Sequence, residues 1–297
     1  MDKIFVVENA GNTCYIDSLI MALFYSPSVI EMLLKKDLRD VGGIYLQDYV
    51  MENFVKNVRF EKSVLQDTMH LLRELLICNG WKMNEPDEHI EQQDVNEFFT
   101  FLMDIFEGPL LEIKRFTITE AKISSDENDE GTIEQIPFIP LTIPPNTELS
   151  VKELTRRWMY ENYVQVKRKI DNDTEILVQG LNTYRMMNSP NILSFSINRY
   201  NNEGKKNSSK LIINKKIRPQ NNSDLLERHV WIFQAAICHK GNSLKEGHYY
   251  SLLYHNDHYY IFDDLCIPSL KIVNMKDPDI SNAIKEECVF IIYRFLY

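Results

Sequence analysis

The apolar residues of this chain change their period along its length, and that change limits the fold more than any other feature. From Cys14 onward, Leu19, Ile20, Leu23 and Phe24 fall at helical spacing. Pro27 interrupts the pattern, and Ser28 is placed to cap a second short helix running through Met32 to Lys36. Val64 to Leu76 carries Leu65, Met69, Leu72 and Leu76 on one side, and Val95 to Phe106 repeats Phe98, Leu102 and Ile105. The front of the chain is therefore helical. Ile113 to Ile123 alternates as a strand, Ser124 to Gly131 is an acidic turn, and Ile136 to Ile143 is a strand with two prolines, which suits a sheet edge. Ser150 and Glu153 form a capping box for a helix from Val151 to Tyr163. The back of the chain then reads as strand after strand: Ile192 to Tyr200, Lys210 to Ile217, Val230 to His239, His248 to His255, His258 to Phe262 and Val289 to Phe295. Helices followed by strands predict an α+β fold.

Composition narrows what such a fold can do. A net charge of −10 speaks against nucleic acid as the main partner, because phosphate binding needs a basic surface. It suits a basic protein partner, or solubility alone. No apolar run approaches the roughly 20 residues of a membrane span, and the apolar Ile4 to Val7 lacks the basic region and cleavage site of a signal peptide. The cysteines are Cys14, Cys78, Cys238, Cys266 and Cys288. Their number is odd and no two form a CxxC, which argues against a disulfide framework and a four-cysteine zinc site and fits a reducing compartment. His255 and His258 share a metal-like spacing, but no carboxylate or cysteine pattern completes a site, and a tight turn explains both.

Two segments carry chemistry. Gly11-Asn12-Thr13 makes a turn just before the helical run that starts at Cys14. A thiol there feels the positive end of the helix dipole, which favours the thiolate. The turn formers would expose the sulfur, and backbone N–H groups, with the Asn9 side-chain amide, could donate to a developing oxyanion. A lone cysteine is more often a small buried hydrophobe; the second segment reverses that balance. His248 opens a strand, His255-Asn256-Asp257-His258 turns it, and Tyr259 to Phe262 returns to Asp263-Asp264. The hairpin sets His248 and Asp263 side by side near its open end, where a carboxylate fixes the imidazole tautomer. Among the other histidines, His239 leads toward His248 and could line a groove, His70 and His89 sit in polar helical surroundings, and His229 is expected to be exposed.

These residues closely resemble the ubiquitin-specific protease family of papain-like cysteine deubiquitinases. Asn9 to Ser18 is similar to the family's cysteine box, Gly247 to Asp264 to its histidine box, and Gln92-Gln93-Asp94 to its QQD box. Pro190 to Leu193 and Arg199-Tyr200 resemble the strand that precedes the histidine box. The motifs occur in the family's order across nearly the whole chain.

The resemblance implies one catalytic domain over 1–297, with a helical thumb to about 110, a fingers insertion at about 111–185 and a β-rich palm beyond. It implies hydrolysis of the bond after ubiquitin's C-terminal glycine, with the same chemistry on a ubiquitin-like modifier, or a non-catalytic ubiquitin-binding module, as alternatives. Cys14 would be the nucleophile, His248 the base, Asp263 the orienting acid with Asp264 assisting, and Asn9 the oxyanion donor. Asp94, with Gln92 beside it, would face the arginine of the Leu-Arg-Gly-Gly tail, while Tyr15 and Tyr249 flank the channel that admits only Gly-Gly. The expected partners are ubiquitin and ubiquitinated proteins, with no nucleic acid, no membrane and no cofactor. A monomer in the cytoplasm or nucleus, including that of an infected host cell, is expected. Two departures stand out. The stretch 113–137 is short and has no CxxC pair, which predicts a small, metal-free fingers hairpin. Asp17 stands where Asn is common in the family and is expected not to touch the chemistry directly.

Overall fold

The computed structural model describes residues 4–82, 94–119, 131–169, 175–201, 203–219, 229–243 and 246–296. Helix α1 (Cys14–Phe24) is apolar and buried on all sides, as expected of a helix enclosed by its neighbours rather than lying on a surface. Ser28 caps as predicted, accepting from Ile30 N at 3.2 Å, but the turn it starts is a 3-10 helix at Val29–Leu34. A helix that the sequence does not single out follows: α2 (Val41–Tyr49) runs through a π-helical stretch (Val50–Val55) into α3 (Lys56–Arg59). Gly42 and Gly43 mask it, and the crowding explains them, since a side chain at either would press on Asn79 or on the Ile105 carbonyl. Helices α4 (Gln66–Cys78) and α5 (Val95–Ile105) complete the front.

The expected short hairpin is part of a larger sheet. Strand β1 (Leu111–Thr119) pairs with β2 (Thr132–Ile136), but β5 (Asn162–Lys169) and β6 (Glu175–Met186) extend it to four strands in the order β2-β1-β6-β5. The acidic stretch 124–130 lies outside the described residues. Between these pairs come β3 (Ile139–Thr142), β4 (Glu148–Ser150) and α6 (Val151–Tyr160). The capping box on α6 forms as read, but the helix ends early because β5 takes over at Asn162.

The remaining strands are β7 (Ile192–Asn198), β8 (Lys210–Ile212), β9 (Lys216–Ile217), β10 (Val230–Lys240), β11 (His248–His255), β12 (His258–Phe262), β13 (Leu270–Val273) and β14 (Cys288–Leu296), with α7 (Pro278–Glu287) before the last. An eight-stranded sheet runs β13-β12-β11-β10-β14-β7-β3, with β9 beside β10. The proline-containing β3 lies at its edge, as the sequence requires, and is paired in parallel with β7.

This sheet is buried on both faces. Ala235, Ile237, Tyr249, Leu253, Phe290 and Ile292 join the core of the helical front. The alternate residues Ala236, Cys238, Tyr250, Leu252, Ile291 and Tyr293 join a second core containing residues of α6 and α7. Double burial is why β10 and β14 read as near-continuous apolar runs. No helix among the described residues is long and apolar enough to cross a membrane.

Candidate active site

Helix α1 packs on β11, and this contact brings the start of the chain against its end. Gly11 and Asn12 both take left-handed backbone (φ 77° and 54°), so the loop folds back before Cys14 begins the helix. Arg73 of α4 holds that loop, donating to the carbonyls of Ala10 at 2.7 Å and Gly11 at 3.2 Å. The exposed sulfur expected from the turn is corrected here: Cys14 is only 4% exposed, closed over by the packing of α1.

The hairpin carries the base. Asn256 and Asp257 both have positive φ (48° and 63°) between paired His255 and His258, which matches the right-handed twist of a tight hairpin. His248 Nε2 lies 2.8 Å from Asp263 Oδ1. A carboxylate only accepts, so Nε2 carries the proton and Nδ1 is left for the hydrogen bond with Cys14. Burial works against the imidazolium, but its hydrogen bonds to Asp263 and Cys14 and the charges of Cys14 and Asp264 outweigh it, raising His248 to about 10. Burial likewise works against ionised Asp263, and the hydrogen bond and charge of His248 outweigh it, holding this carboxyl below its ordinary value.

Asp264 is buried beside them. Its Oδ1 is 3.4 Å from His248 Nε2, an ion-pair distance without an aligned hydrogen bond. Its Oδ2 accepts the Asn9 amide at 2.6 Å, and Asn9 Oδ1 in turn accepts Gly11 N–H at 2.7 Å. Asn9 thus has one amide hydrogen committed to Asp264, leaving one to offer elsewhere. His248, Asp263 and Asp264 hold three potential ligand atoms within 4.8 Å. The His248–Asp263 hydrogen bond and the 3.4 Å approach of Asp264 account for the cluster as a base with its carboxylates.

Asp94 caps α5, accepting from Asn96 N at 2.6 Å. Tyr249 reaches the same helix start, where its hydroxyl accepts the Val95 N–H. Tyr200, to which sequence reading gives no role, joins them, with its hydroxyl 2.8 Å from His239 Nδ1. Asp94, Tyr200, His239 and Tyr249 are therefore neighbours. Two expectations fail. Tyr15 is 1% exposed, accepts the Trp81 indole N–H at 3.0 Å and packs edge-on against Phe98, so its ring is core and flanks no open channel. His239 is 2% exposed and packs 4.7 Å from the Tyr249 ring, so it lines no open groove. Burial, then the charges of Lys206 and His248, lower its pKa to about 4.

Gln92 and His89 lie outside the described residues. His229 is half-buried rather than exposed, with Nδ1 2.6 Å from Ser189 Oγ. His255 and His258 are turn residues tied to Ser26 and to the Asn256 carbonyl.

Asp17 lies closer to the site than its place in the sequence suggests. It is fully buried one turn after Cys14, with the Asp264 carboxyl group beside it. The signal is present in the sequence: Asp17 is the one acid in an otherwise apolar helix, and acids are almost never fully buried without a specific partner.

The fold is that of ubiquitin-specific deubiquitinases. The SAGA Ubp8/Sgf11/Sus1/Sgf73 DUB module bound to ubiquitin aldehyde matches at a TM-score of 0.70 and 14% identity, covering 98% of this chain and 69% of that one. A form of the same module carrying a substitution in Ubp8 and bound to monoubiquitin matches at 0.71 and 14%, with the same coverage. A yeast SAGA DUB module with a mutant Sgf73 matches at 0.69 and 14%, covering 98% and 68%. No curated protein matches by sequence. The ubiquitin carboxyl-terminal hydrolase profile matches residues 6–284, nearly the whole chain, and the protein belongs to that family.

Proposed function

We infer that the protein is a thiol-dependent ubiquitin hydrolase that cleaves the peptide or isopeptide bond after ubiquitin's C-terminal glycine. The observation that supports it most is the hydrogen-bonded line Cys14–His248–Asp263 in a chain of this family. Two of the similar solved structures hold ubiquitin or ubiquitin aldehyde.

The Cys14 thiolate attacks the glycine carbonyl carbon, and the electron pair of the carbonyl moves to oxygen. The second Asn9 amide hydrogen and the N–H groups at the start of α1 stabilise that oxyanion. His248 gives its Nδ1 proton to the departing lysine amine as the C–N bond breaks, leaving a thioester. Neutral His248 then takes a proton from water, whose oxygen attacks the thioester and expels the thiolate. Asp263 holds Nε2–H throughout, so Nδ1 stays aimed at sulfur. Asp94 pairs with the arginine of the ubiquitin tail, and the Tyr249 side of the cleft excludes side chains at the two glycine positions. The solved relatives belong to a multi-subunit module; for this chain we propose action as a monomer, which light scattering checks.

Turnover of ubiquitin bearing a C-terminal fluorogenic amide tests the function. Wild type should release the fluorophore, and Cys14→Ala should lose at least about 10³-fold in kcat. A folded wild type that releases none contradicts the assignment.

A further inference from the structure

Helix α1 is buried on every side, yet it carries an acid, Asp17, at 0% exposure. Its Oδ2 accepts the Thr13 hydroxyl at 3.1 Å, while its Oδ1 is buried with no donor among the described residues. Asp264 shows the same arrangement. Its Oδ2 accepts Asn9, and its buried Oδ1, though 3.4 Å from His248 Nε2, also lacks a donor. The two carboxyl groups are hydrogen-bond neighbours, and two carboxylates in contact at this depth cannot both carry charge. One proton between them supplies the donor that both groups lack.

We propose that Asp17 is a positioning residue, a neutral carboxylic acid whose O–H donates to the Asp264 carboxylate and thereby fixes Asp264 against Asn9 and His248.

The surroundings agree. Around Asp17 lie Cys14 and Tyr15 on its own helix, Asp264 beyond β12 and, next to Asp264, His248 of β11, while Arg73 of α4 acts on Tyr15 and donates to the Ala10 and Gly11 carbonyls. Burial, then the negative charges of Asp264 and Cys14, hold the Asp17 carboxyl well above the usual carboxylate range. Protonated Asp17 leaves the pair with a single negative charge. That charge holds the Asn9 amide in place and adds to the field on the imidazolium. Asp17 touches no substrate; it acts through Asp264.

The role rests on the cysteine-hydrolase reading above, and the test separates the two. The infrared difference between wild type and Asp17→Asn at neutral pH should contain a protonated-carboxyl C=O stretch that shifts in heavy water. Absence of that band overturns the proposal whether or not the protein cleaves ubiquitin. On ubiquitin amide, Asp17→Leu removes the donor at similar volume and should lower kcat by roughly 10- to 100-fold, the usual cost of losing an outer support of a site, with little change in KM. Asp17→Asn keeps an N–H donor and should stay within about threefold. In an Asp264→Ala background, Asp17→Leu should cost nothing further. Full activity in Asp17→Leu, or an equal loss in both backgrounds, overturns the proposal. If Asp17→Leu fails to fold, the infrared band and Asp17→Asn decide. An inactive wild type that shows the band removes the hydrolase reading and leaves the shared proton standing.

Discussion

His248 meets the Cys14 thiol on one side and two carboxyl groups on the other, and its proton is therefore hard to remove. Being held near 10 rather than 6.5, that proton stabilises the folded state fully below pH 6.5, and the contribution fades as pH rises toward about 10. Asp263, held below its ordinary value, contributes above the carboxylate range and loses its contribution as pH falls through its folded pKa. Since the leaving amine needs the His248 proton, kcat/KM should fall as pH rises through about 10. Asp263→Asn removes the largest support of that proton. Its kcat/KM should drop at least about tenfold, and its alkaline limb should move toward 6.5. A pH profile of kcat/KM checks both, and an unmoved limb contradicts the assignment of Asp263. Cys14, His248 and Asp263 are legible because each sits in a local context, a helix start or a hairpin arm, that sequence displays. For Asp17 only the anomaly of an acid in an apolar helix is legible, because its role depends on Asp264 near the other end of the chain. The burial of Tyr15 is hidden for the same reason: Trp81 and Phe98, which enclose it, come from distant segments.

Strand β11 owes its position to the turn before it. A side chain at Gly247 would run into the Lys240 carbonyl and the His239 ring. Gly247→Ala must therefore push the start of β11 away from β10 and move His248. We expect a loss of about 1–3 kcal/mol in urea unfolding, the usual cost of overpacking, together with a fall in kcat/KM. An unchanged midpoint would show that the loop yields freely. The α6 capping box and the two left-handed turn residues of the β11–β12 hairpin are readable because their signals are local. Strands β5 and β6 escape a reading of the sequence because β5 is rich in polar and charged residues and β6 carries an interior glycine, Gly180. Helix α7 does carry a local signal: Asp277 caps it and Pro278 takes its first position.

At the scale of the whole molecule, the doubly buried sheet turns two remote segments into one site. One face of β10, β11 and β14 packs into the helical core that contains α1, so Asn9 to Cys14 meets His248 to Asp264. The α+β class and the order of the motifs are legible in the sequence, whereas the four-stranded extension of the 111–186 region is not. Labelling with ubiquitin whose C-terminus carries an electrophile, read by intact mass and peptide mapping, tests whether Cys14 is the nucleophile for ubiquitin. One ubiquitin per chain should attach, at the buried Cys14 and not at the exposed Cys78, and none on Cys14→Ala. No adduct on a folded chain, an adduct at Cys78 or Cys266, or one that survives Cys14→Ala would contradict that role.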